Sequence, residues 1–396
     1  MAASLAPELL DQIFAYVPDY PDSHWQPSDR HPILDDDDSS YPSFYPTYAL
    51  HPLLLVCKAW NGIAEVHLYR SISVGGCINQ RSGCVRQALI LAKKLKENPR
   101  LADIVRTLRL GTMNCERDET VAHIEILSSC KSATSVTIMG YNNEFLDDLV
   151  STVKELKMLK SFTVSRYSIT DAHQCEEFCS IEEFFELLMG WPDIESVLFH
   201  YEAIRSHFSE PIDAEHKALE ARILNPPAGC CPRLRSLELD WCTLPRHIRA
   251  LQRIAPSIEK FVAGVFLYDH SGMSIIEAAL STWASTLGEL SLRPWGDDDL
   301  AVVMSAELCT RLTRLHTLDG STALMDVRSL CCLKQLENLT FAVTQTSHVE
   351  VLNDILQKLP SLKHLHLYAN HDETEGLEQL EHSAKQYGIQ MQLNRV

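Results

Sequence analysis

The chain has 396 residues, and 35 Lys and Arg against 53 Asp and Glu give it a formal net charge of −18. This charge argues against the Lys- and Arg-rich face that binds nucleic acid phosphates or anionic lipid, so we expect neither nucleic acid nor a membrane as a partner. No apolar run approaches the roughly 18–20 residues that span a bilayer, and no basic residue precedes the first apolar stretch as in a secretory signal. We therefore expect a protein of the cytoplasm, the nucleus or both.

The first predicted element is an amphipathic helix close to the N-terminus. Its apolar residues recur at helical spacing from Leu9 to Val17. Pro7 suits the first helical position, where its missing N–H is no loss. Pro18 disfavours helix at the residue before it and ends the element. Most amphipathic helices pack into their own domain, so this stripe alone predicts no partner.

Residues 18–52 differ in composition from the rest of the chain. They hold seven of the eighteen prolines, a single arginine and seven aspartates, four of which are consecutive at Asp35–Asp38. Such a segment has too little apolar surface to offset the entropy that it loses on ordering. We predict a mobile, acidic and Pro-rich insertion here.

The next element comes after Pro52, where apolar residues are dense as far as Leu68. This density is too high for a helix that faces solvent. We predict two short helices that kink around Ala59–Gly62, with Trp60 filling the joint. Three short helices with so much apolar surface are marginally stable alone, so the surplus should be covered by something else.

Residues 5–14 and 54–61, with the sequences LAPELLDQIF and LLVCKAWN, resemble the two halves of an F-box. The sequence LYRSI at residues 68–72 is similar to the segment directly after the F-box in many fungal members of that family. The resemblance implies a short all-α, three-helix F-box domain at residues 1–72, interrupted at 18–52, that binds a Skp-type adaptor and through it a cullin. Some of its apolar residues must form its own core, and the sequence does not sort them. The candidate adaptor-binding residues are Pro7, Leu9, Leu10, Ile13, Phe14, Leu54, Val56, Cys57 and Trp60.

A loose L-x-x-L-x-L pattern recurs from about residue 104 onward, at intervals that mostly lie between 24 and 29 residues. A period in this range resembles that of leucine-rich repeats, in which each unit contributes a strand and a helix. We predict an irregular α/β leucine-rich-repeat solenoid over residues 73–396, with parallel strands inside and helices outside. The predicted strand centres are Leu108, Val136, Phe162, Val197, Leu237, Phe261, Leu290, Leu315, Leu339, Leu365 and Met391.

Helical patterns fill the intervals between these strands. Two long intervals, before and after Val197, predict loops near Ser165–Ser180 and Glu202–Pro232. The predicted helices are Glu144–Lys157, Ile181–Met189, Arg246–Ile254, Ser274–Ala284, Val349–Leu359 and Leu377–Tyr387.

Sequence patterns for catalysis and metal binding are missing. The chain has no G-x-S-x-G, H-E-x-x-H, P-loop or G-x-G-x-x-G motif, so we predict no enzyme activity, no catalytic residues and no cofactor. Thirteen cysteines without a C-x-x-C pair fit reduced, mostly buried thiols. The group His173, Cys175 and Cys179 lacks the usual metal-ligand spacing and a fourth ligand, and Asp297–Asp299 fits the start of a helix better. We therefore predict no metal site.

Alternation along each predicted strand turns the leucines to the core and their neighbours to the opposite face. That face is rich in hydrogen-bonding groups, as protein-recognition surfaces often are. The candidate contacts for a target protein are Glu238, Asp240, Arg293, Arg314, His316, His364, His366 and Tyr368.

Two functions are compatible with these patterns. On the F-box resemblance, the chain is the substrate-recognition subunit of a cullin-type (SCF) ubiquitin ligase and holds an unknown target protein on its repeats. Alternatively, it is a leucine-rich-repeat scaffold that binds proteins and whose N-terminal helices only cap the array.

Overall fold

The computed structural model of the chain falls into two compact units, Met1–Phe178 and Cys179–Val396. The predicted acidic insertion lies outside the described residues as far as residue 47. The predicted domain boundary after residue 72 falls within a strand and stays a prediction. The structure describes residues 6–15, 48–75, 83–111, 116–165, 177–200, 204–205, 227–243, 245–266, 270–295, 304–321, 324–343, 346–369 and 376–395.

Helices open the first unit, in the order that the sequence predicts. The α-helix Pro7–Ala15 begins at the predicted proline, and Glu8 lies in its first turn, where the helix dipole favours a negative charge. A 3-10 helix, Tyr48–Leu55, and an α-helix, Lys58–Arg70, come next.

The kink between the last two of these helices lies earlier than predicted. Cys57 is extended, with φ −164° and ψ 170°, and forms the N-cap of the longer helix. The side-chain Nδ2 of Asn61 donates a hydrogen bond to the carbonyl oxygen of Leu54 at 2.9 Å, which ties the two helices together. The prediction of a kink around Ala59–Gly62 is wrong, because those residues lie inside the longer helix.

Four parallel strands of the first unit succeed one another in chain order. They are β1 (Ser71–Gly75), β2 (Thr107–Gly111), β3 (Ser135–Met139) and β4 (Ser161–Ser165), and each pairs with the next. Parallel neighbours need a crossover connection, which helical segments supply here. These segments are the helices Gly83–Glu97, Pro99–Ala102, Arg117–Ser129 and Leu146–Lys154 and the 3-10 helix Asn143–Phe145.

The sequence analysis missed strand β1. Ile72 pairs in register with Leu108 of β2, and both side chains are buried. Tyr69, Ile72 and Val74 are all buried and occupy the three apolar positions of the L-x-x-L-x-L pattern. The repeats therefore begin at the end of the helix Lys58–Arg70, inside the predicted N-terminal domain.

The second unit has a run of parallel strands, each of which pairs with the next, and a separate short pair. The run comprises β6 (Ser196–His200), β8 (Ser236–Thr243), β9 (Lys260–Phe266), β10 (Glu289–Trp295), β11 (Thr317–Ser321), β12 (Asn338–Val343), β13 (His364–Ala369) and β14 (Gln390–Arg395). The short pair is β5 (Cys179–Ser180) with β7 (Ile204–Arg205).

Helices of the second unit confirm all five helices predicted there, with shifts of a few residues at the ends. A capping box starts the first of them, because the Ser180 hydroxyl accepts from the N–H of Glu183 and the Glu183 carboxylate accepts from the N–H of Ser180. The α-helices are Ile181–Gly190, Pro245–Ile254, His270–Trp283, Ala306–Arg311, Thr346–Ile355 and Leu377–Gln386, and the 3-10 helices are Val327–Cys332 and Leu356–Lys358.

One row of apolar residues runs in register across the strands of the second unit. The row is Val197, Leu237, Phe261, Leu290, Leu318, Leu339, Leu365 and Met391. The predicted centre Leu315 is wrong by three residues, because β11 begins at Thr317. Leu315 instead fills the buried position before the strand that Leu287 fills in the preceding repeat.

The turn before each strand repeats the same backbone hydrogen bonds. The carbonyl oxygen of Glu259 accepts from the N–H groups of Gly288 and Glu289, and the carbonyl oxygen of Gly288 accepts from those of His316 and Thr317. Buried backbone groups need such partners, and the repeat supplies them at the same position each time. The structure is thus an α/β array of parallel strands and helices of the leucine-rich-repeat type, as predicted for this part of the chain.

Candidate protein-binding surfaces

The N-terminal helices enclose a small core of their own. Leu10, Phe14 and Ala64 are buried together, at 1%, 2% and 0% exposure. The Phe14 ring meets the Trp60 ring edge-on, with 5.5 Å between the centroids, and Leu54 packs against the same cluster. Four of the candidate adaptor-binding residues therefore point wholly or partly into this core.

The remaining candidates lie at the surface of the same helices. Pro7 and Cys57 are exposed, and Leu9, Ile13 and Val56 keep 49%, 47% and 54% of their area in water. Leu55, which the sequence analysis did not single out, is 87% exposed. Val66 on the third helix is also exposed, at 39%. We call the four most exposed aliphatic residues the N-terminal apolar surface: Leu9, Ile13, Leu55 and Val56.

Polar contacts fix the first helix on the third. His67 Nε2 lies 2.7 Å from Asp11 Oδ1, and the His67 ring meets the Phe14 ring edge-on. The partners lie 56 residues apart in the chain, so the contact holds two separate segments together. It leaves the outward residues of the first helix uncovered.

The third helix is also bound to the first repeat. Arg100 donates to the Glu65 carboxylate at 2.5 Å, and the N–H of Arg106 donates to the carbonyl oxygen of Arg70 at 2.9 Å. The second of these hydrogen bonds joins the residues just before two neighbouring strands, as the backbone hydrogen bonds between later repeats do. The N-terminal helices are thus continuous with the array of the first unit.

The second unit presents a polar face, formed by the strand residues on either side of the apolar row. We call these two rows the polar sheet face. One row is Ser236, Lys260, Glu289, Thr317, Asn338, His364 and Gln390, and the other is Glu238, Val262, Ser291, Asp319, Thr340, His366 and Gln392.

Lys260 bridges two carboxylates at one side of the polar sheet face. Its Nζ lies 3.0 Å from Glu238 Oε1 and 3.5 Å from Glu289 Oε2. Burial alone would lower the pKa of Lys260, but the two carboxylates outweigh it and raise the pKa above its ordinary value. The triad joins β8, β9 and β10 and leaves one net negative charge there.

Asp319 is a further acidic residue of this face that the sequence analysis missed. The Ser291 hydroxyl donates to Asp319 Oδ2 at 2.8 Å, and beside it Asn338 Nδ2 donates to the Thr317 hydroxyl at 3.1 Å. The error at Leu315 hid Asp319, because a three-residue shift reverses which residues of a strand face outward. Correct alignment of β11 would have revealed it.

Three predicted contact residues lie together on β13. Leu365 and Leu367 are buried, whereas His364, His366 and Tyr368 turn to the polar sheet face, as the alternation predicts. The centroids of the His366 and Tyr368 rings lie 4.8 Å apart. These two side chains add aromatic rings and hydrogen-bonding groups to the face, next to its last strand, β14.

The other predicted contacts are less uniform. Arg314 and His316 lie in the turn before β11 and not on the strand, which corrects their predicted position. His316 instead covers Gly288, where an added Cβ would lie 2.9 Å from its Nε2. Asp240 and Arg293 lie on β8 and β10, but their side chains are outside the described part.

The candidate metal ligands fall mostly on residues that the structure does not describe. His173, Cys175 and Asp297–Asp299 are among these, while Cys179 is buried. No group of three His, Cys, Asp or Glu side chains among the described residues is placed to hold a metal ion. Within the same residues, no helix has the length and apolar character needed to cross a membrane.

Comparisons with known proteins establish neither the fold nor the function of this chain. No family model and no curated protein matches the chain. A solved leucine-rich-repeat protein of Leptospira interrogans is similar. It shares 14% sequence identity, with 77% of this chain and 81% of that chain covered, at a TM-score of 0.34. The assignment of the repeats therefore rests on the strand register and the repeated turns.

Proposed function

We propose that this chain is a substrate-recognition subunit of a cullin-type ubiquitin ligase, acting in the cytoplasm, the nucleus or both. In this proposal the N-terminal apolar surface binds a Skp-type adaptor and, through it, a cullin. The polar sheet face of the second unit binds the target protein. The chain itself has no catalytic step, no cofactor and no metal.

The supporting observation is that the apolar residues of the first helix divide into a buried pair and an exposed pair. Leu10 and Phe14 are buried in the core of the N-terminal helices, whereas Leu9 and Ile13 keep about half of their area in water. Large aliphatic side chains that stay exposed on one side of a helix, as Leu9 and Ile13 do, are typical of interaction surfaces. The F-box resemblance of the same residues supports an adaptor as the occupant.

The mechanism in this proposal is proximity. A target held on the repeats keeps its lysines at high effective concentration near the ubiquitin-charged enzyme that the cullin brings. Polar side chains from several neighbouring strands would supply the contacts, and a few of them would carry most of the binding energy.

Co-expression with a Skp-type adaptor tests the proposal. We expect a stable complex with the wild-type chain and its loss in the variant L9D/I13D. Both substituted positions are half exposed, and Leu9 lies in the first turn, where an acidic residue suits the helix dipole. The matched control M158D changes an equally exposed apolar residue elsewhere in the first unit and should leave the complex intact.

The core residues provide a second readout in the same experiment. L10A should lower the free energy of unfolding by about 2–5 kcal/mol, as expected for a fully buried leucine in the core of the N-terminal helices. L9A should change it by less than about 0.5 kcal/mol. Undiminished co-purification of a folded L9D/I13D variant would reject the N-terminal apolar surface as the adaptor site.

A second candidate function is a repeat scaffold whose N-terminal helices only cap the array. Two observations favour it. The helix Lys58–Arg70 leads directly into β1, and the hydrogen bond from the N–H of Arg106 to the carbonyl oxygen of Arg70 repeats the backbone bonds between later repeats. A chain that folds normally but forms no complex with any Skp-type adaptor would decide for this scaffold.

A further inference from the structure

The helix Gly83–Glu97 buries mainly alanines and leaves two large aliphatic residues exposed. Ala88, Ala92 and Leu95 are fully buried on the side that faces the helix Arg117–Ser129. Leu89 and Ile90 point away from it and remain 43% and 57% exposed. Isoleucine has a lower helix propensity than alanine, and at 57% exposure Ile90 leaves more than half of its apolar area in water. These two side chains therefore suit a contact that the unit itself does not supply.

Positive charge flanks the exposed pair. Arg86 lies one turn before Ile90, and Lys93 lies one turn after Leu89, so the four residues share one side of the helix. Arg86 has no ion-pair partner among the described residues, and Lys93 reaches only the equally exposed Glu97 at 3.9 Å. We call Arg86, Leu89, Ile90 and Lys93 the helix 83–97 surface. The helix carries four cations and one anion in a chain of net charge −18.

Neighbouring contacts hold this helix in place. The Lys94 ammonium lies over the Tyr69 ring, 5.1 Å from its centroid, and the Lys96 Nζ lies 3.4 Å from a carboxylate oxygen of Glu125. A surface that is already ordered loses little further entropy when a partner binds.

We propose that the helix 83–97 surface binds an acidic amphipathic helix of a partner protein. Apolar residues of that helix pack on Leu89 and Ile90, and its carboxylates pair with Arg86 and Lys93. This inference does not depend on the proposed function, because it concerns residues outside the N-terminal apolar surface.

A protein partner fits this surface better than a lipid bilayer does. Helices that lie in a membrane interface carry aromatic or many aliphatic residues, whereas residues 83–97 include no Phe, Trp or Tyr and only two large exposed aliphatics. The net charge of −18 also repels an anionic bilayer. An acidic protein segment complements the local positive charge at short range.

The test measures binding of the full chain to a fluorescent, capped 16-residue peptide. Leucines recur at helical spacing on one side of the peptide, and glutamates flank them. We expect saturable binding at 50 mM salt that weakens several-fold at 500 mM salt. The variant L89A/I90A should bind about tenfold more weakly, and R86E/K93E should lose the salt dependence together with most of the affinity.

Controls separate this surface from unspecific effects. L89A/I90A raises helix propensity at exposed positions, so it should fold at least as well as the wild type, which circular dichroism checks. M158A removes an exposed apolar residue elsewhere in the first unit and should bind the peptide as the wild type does.

Four outcomes would overturn the proposal. The first is no binding at 200 µM peptide in 50 mM salt, and the second is equal binding by L89A/I90A. The third is stronger binding to vesicles with 30% phosphatidylserine than to the peptide, which would assign the surface to a membrane. The fourth is tighter peptide binding after deletion of residues 33–40, which would assign it to the chain's own acidic run.

Discussion

Acidification between pH 8 and pH 5 should destabilise the first unit through His123. This histidine lies on the helix Arg117–Ser129 at 3% exposure, and its Nε2 has no hydrogen-bond partner among the residues that the structure describes. Burial lowers the pKa of His123 from 6.5 to about 3, because the charged imidazolium is poorly solvated there. Glu119, one turn earlier, is buried as well.

The sign of the effect is set by proton uptake. Below pH 6.5 the unfolded chain binds a proton at His123 that the folded chain does not bind until about pH 3. The contribution of neutral His123 to the free energy of unfolding is therefore fully present above the pKa of the unfolded chain, 6.5. It is lost as the pH falls toward the pKa of the folded chain, about 3. Between pH 8 and pH 5 the loss is about 2 kcal/mol for this single group.

Urea unfolding of the wild type and of H123L at pH 8, 7, 6 and 5 measures this loss. Leucine has nearly the volume of histidine and does not titrate, so the difference between the two pH profiles isolates His123 from all carboxylates. We expect the profiles to diverge by about 2 kcal/mol at pH 5. Parallel profiles would show that His123 takes up its proton in the folded state and would refute the reasoning.

Two further predictions concern backbone spacing and thiol reactivity. G75A should destabilise the first unit by about 1–3 kcal/mol, since the new Cβ would lie 2.7 Å from a backbone oxygen of β2, whereas G62A, in an open helical position, should stabilise it by up to about 1 kcal/mol. Thermal unfolding should rank the two variants in this order, and the opposite order would contradict the register of β1 with β2. Iodoacetamide at pH 8 should modify Cys130 about 100-fold more slowly than the exposed Cys57, because burial raises the pKa of Cys130 to about 12. Equal rates in mass-spectrometric peptide mapping would show that Cys130 is accessible.

Apolar spacing predicted most strands, and it failed where one residue broke the pattern. In β11 the position two residues after Leu318 holds Gly320, so the triplet Leu312, Leu315 and Thr317 matched L-x-x-L-x-L equally well. The Leu324 side chain fills the space beside Gly320, where an added Cβ would lie 3.0 Å from it. Leu324, which lies outside the six-residue pattern, thus fills the space of the side chain that Gly320 lacks. The spacing of apolar residues within the pattern cannot predict this.

Two of the elements that the sequence analysis omitted in the first unit, β1 and the helix Gly83–Glu97, were missed for different reasons. β1 carried a usable signal, since Tyr69, Ile72 and Val74 fit the repeat pattern once an aromatic residue is allowed at the first position. In the helix Gly83–Glu97 the apolar pattern is misleading. Its buried residues are mainly alanines, and its exposed residues include Leu89 and Ile90. A pattern that equates large apolar residues with the core assigns that helix the wrong face.

The N-terminal helix shows why sequence alone could not separate core residues from contact residues. Its four apolar residues form two pairs at i and i+4, Leu9 with Ile13 and Leu10 with Phe14, and the pairs are offset by about 100° around the helix. A sequence stripe of that width is typical of a single apolar face. The helix Lys58–Arg70 reaches only the second pair, so its position decides which pair remains in water. In the proposed adaptor complex, the adaptor would cover Leu9 and Ile13, which the packing within the chain leaves about half exposed.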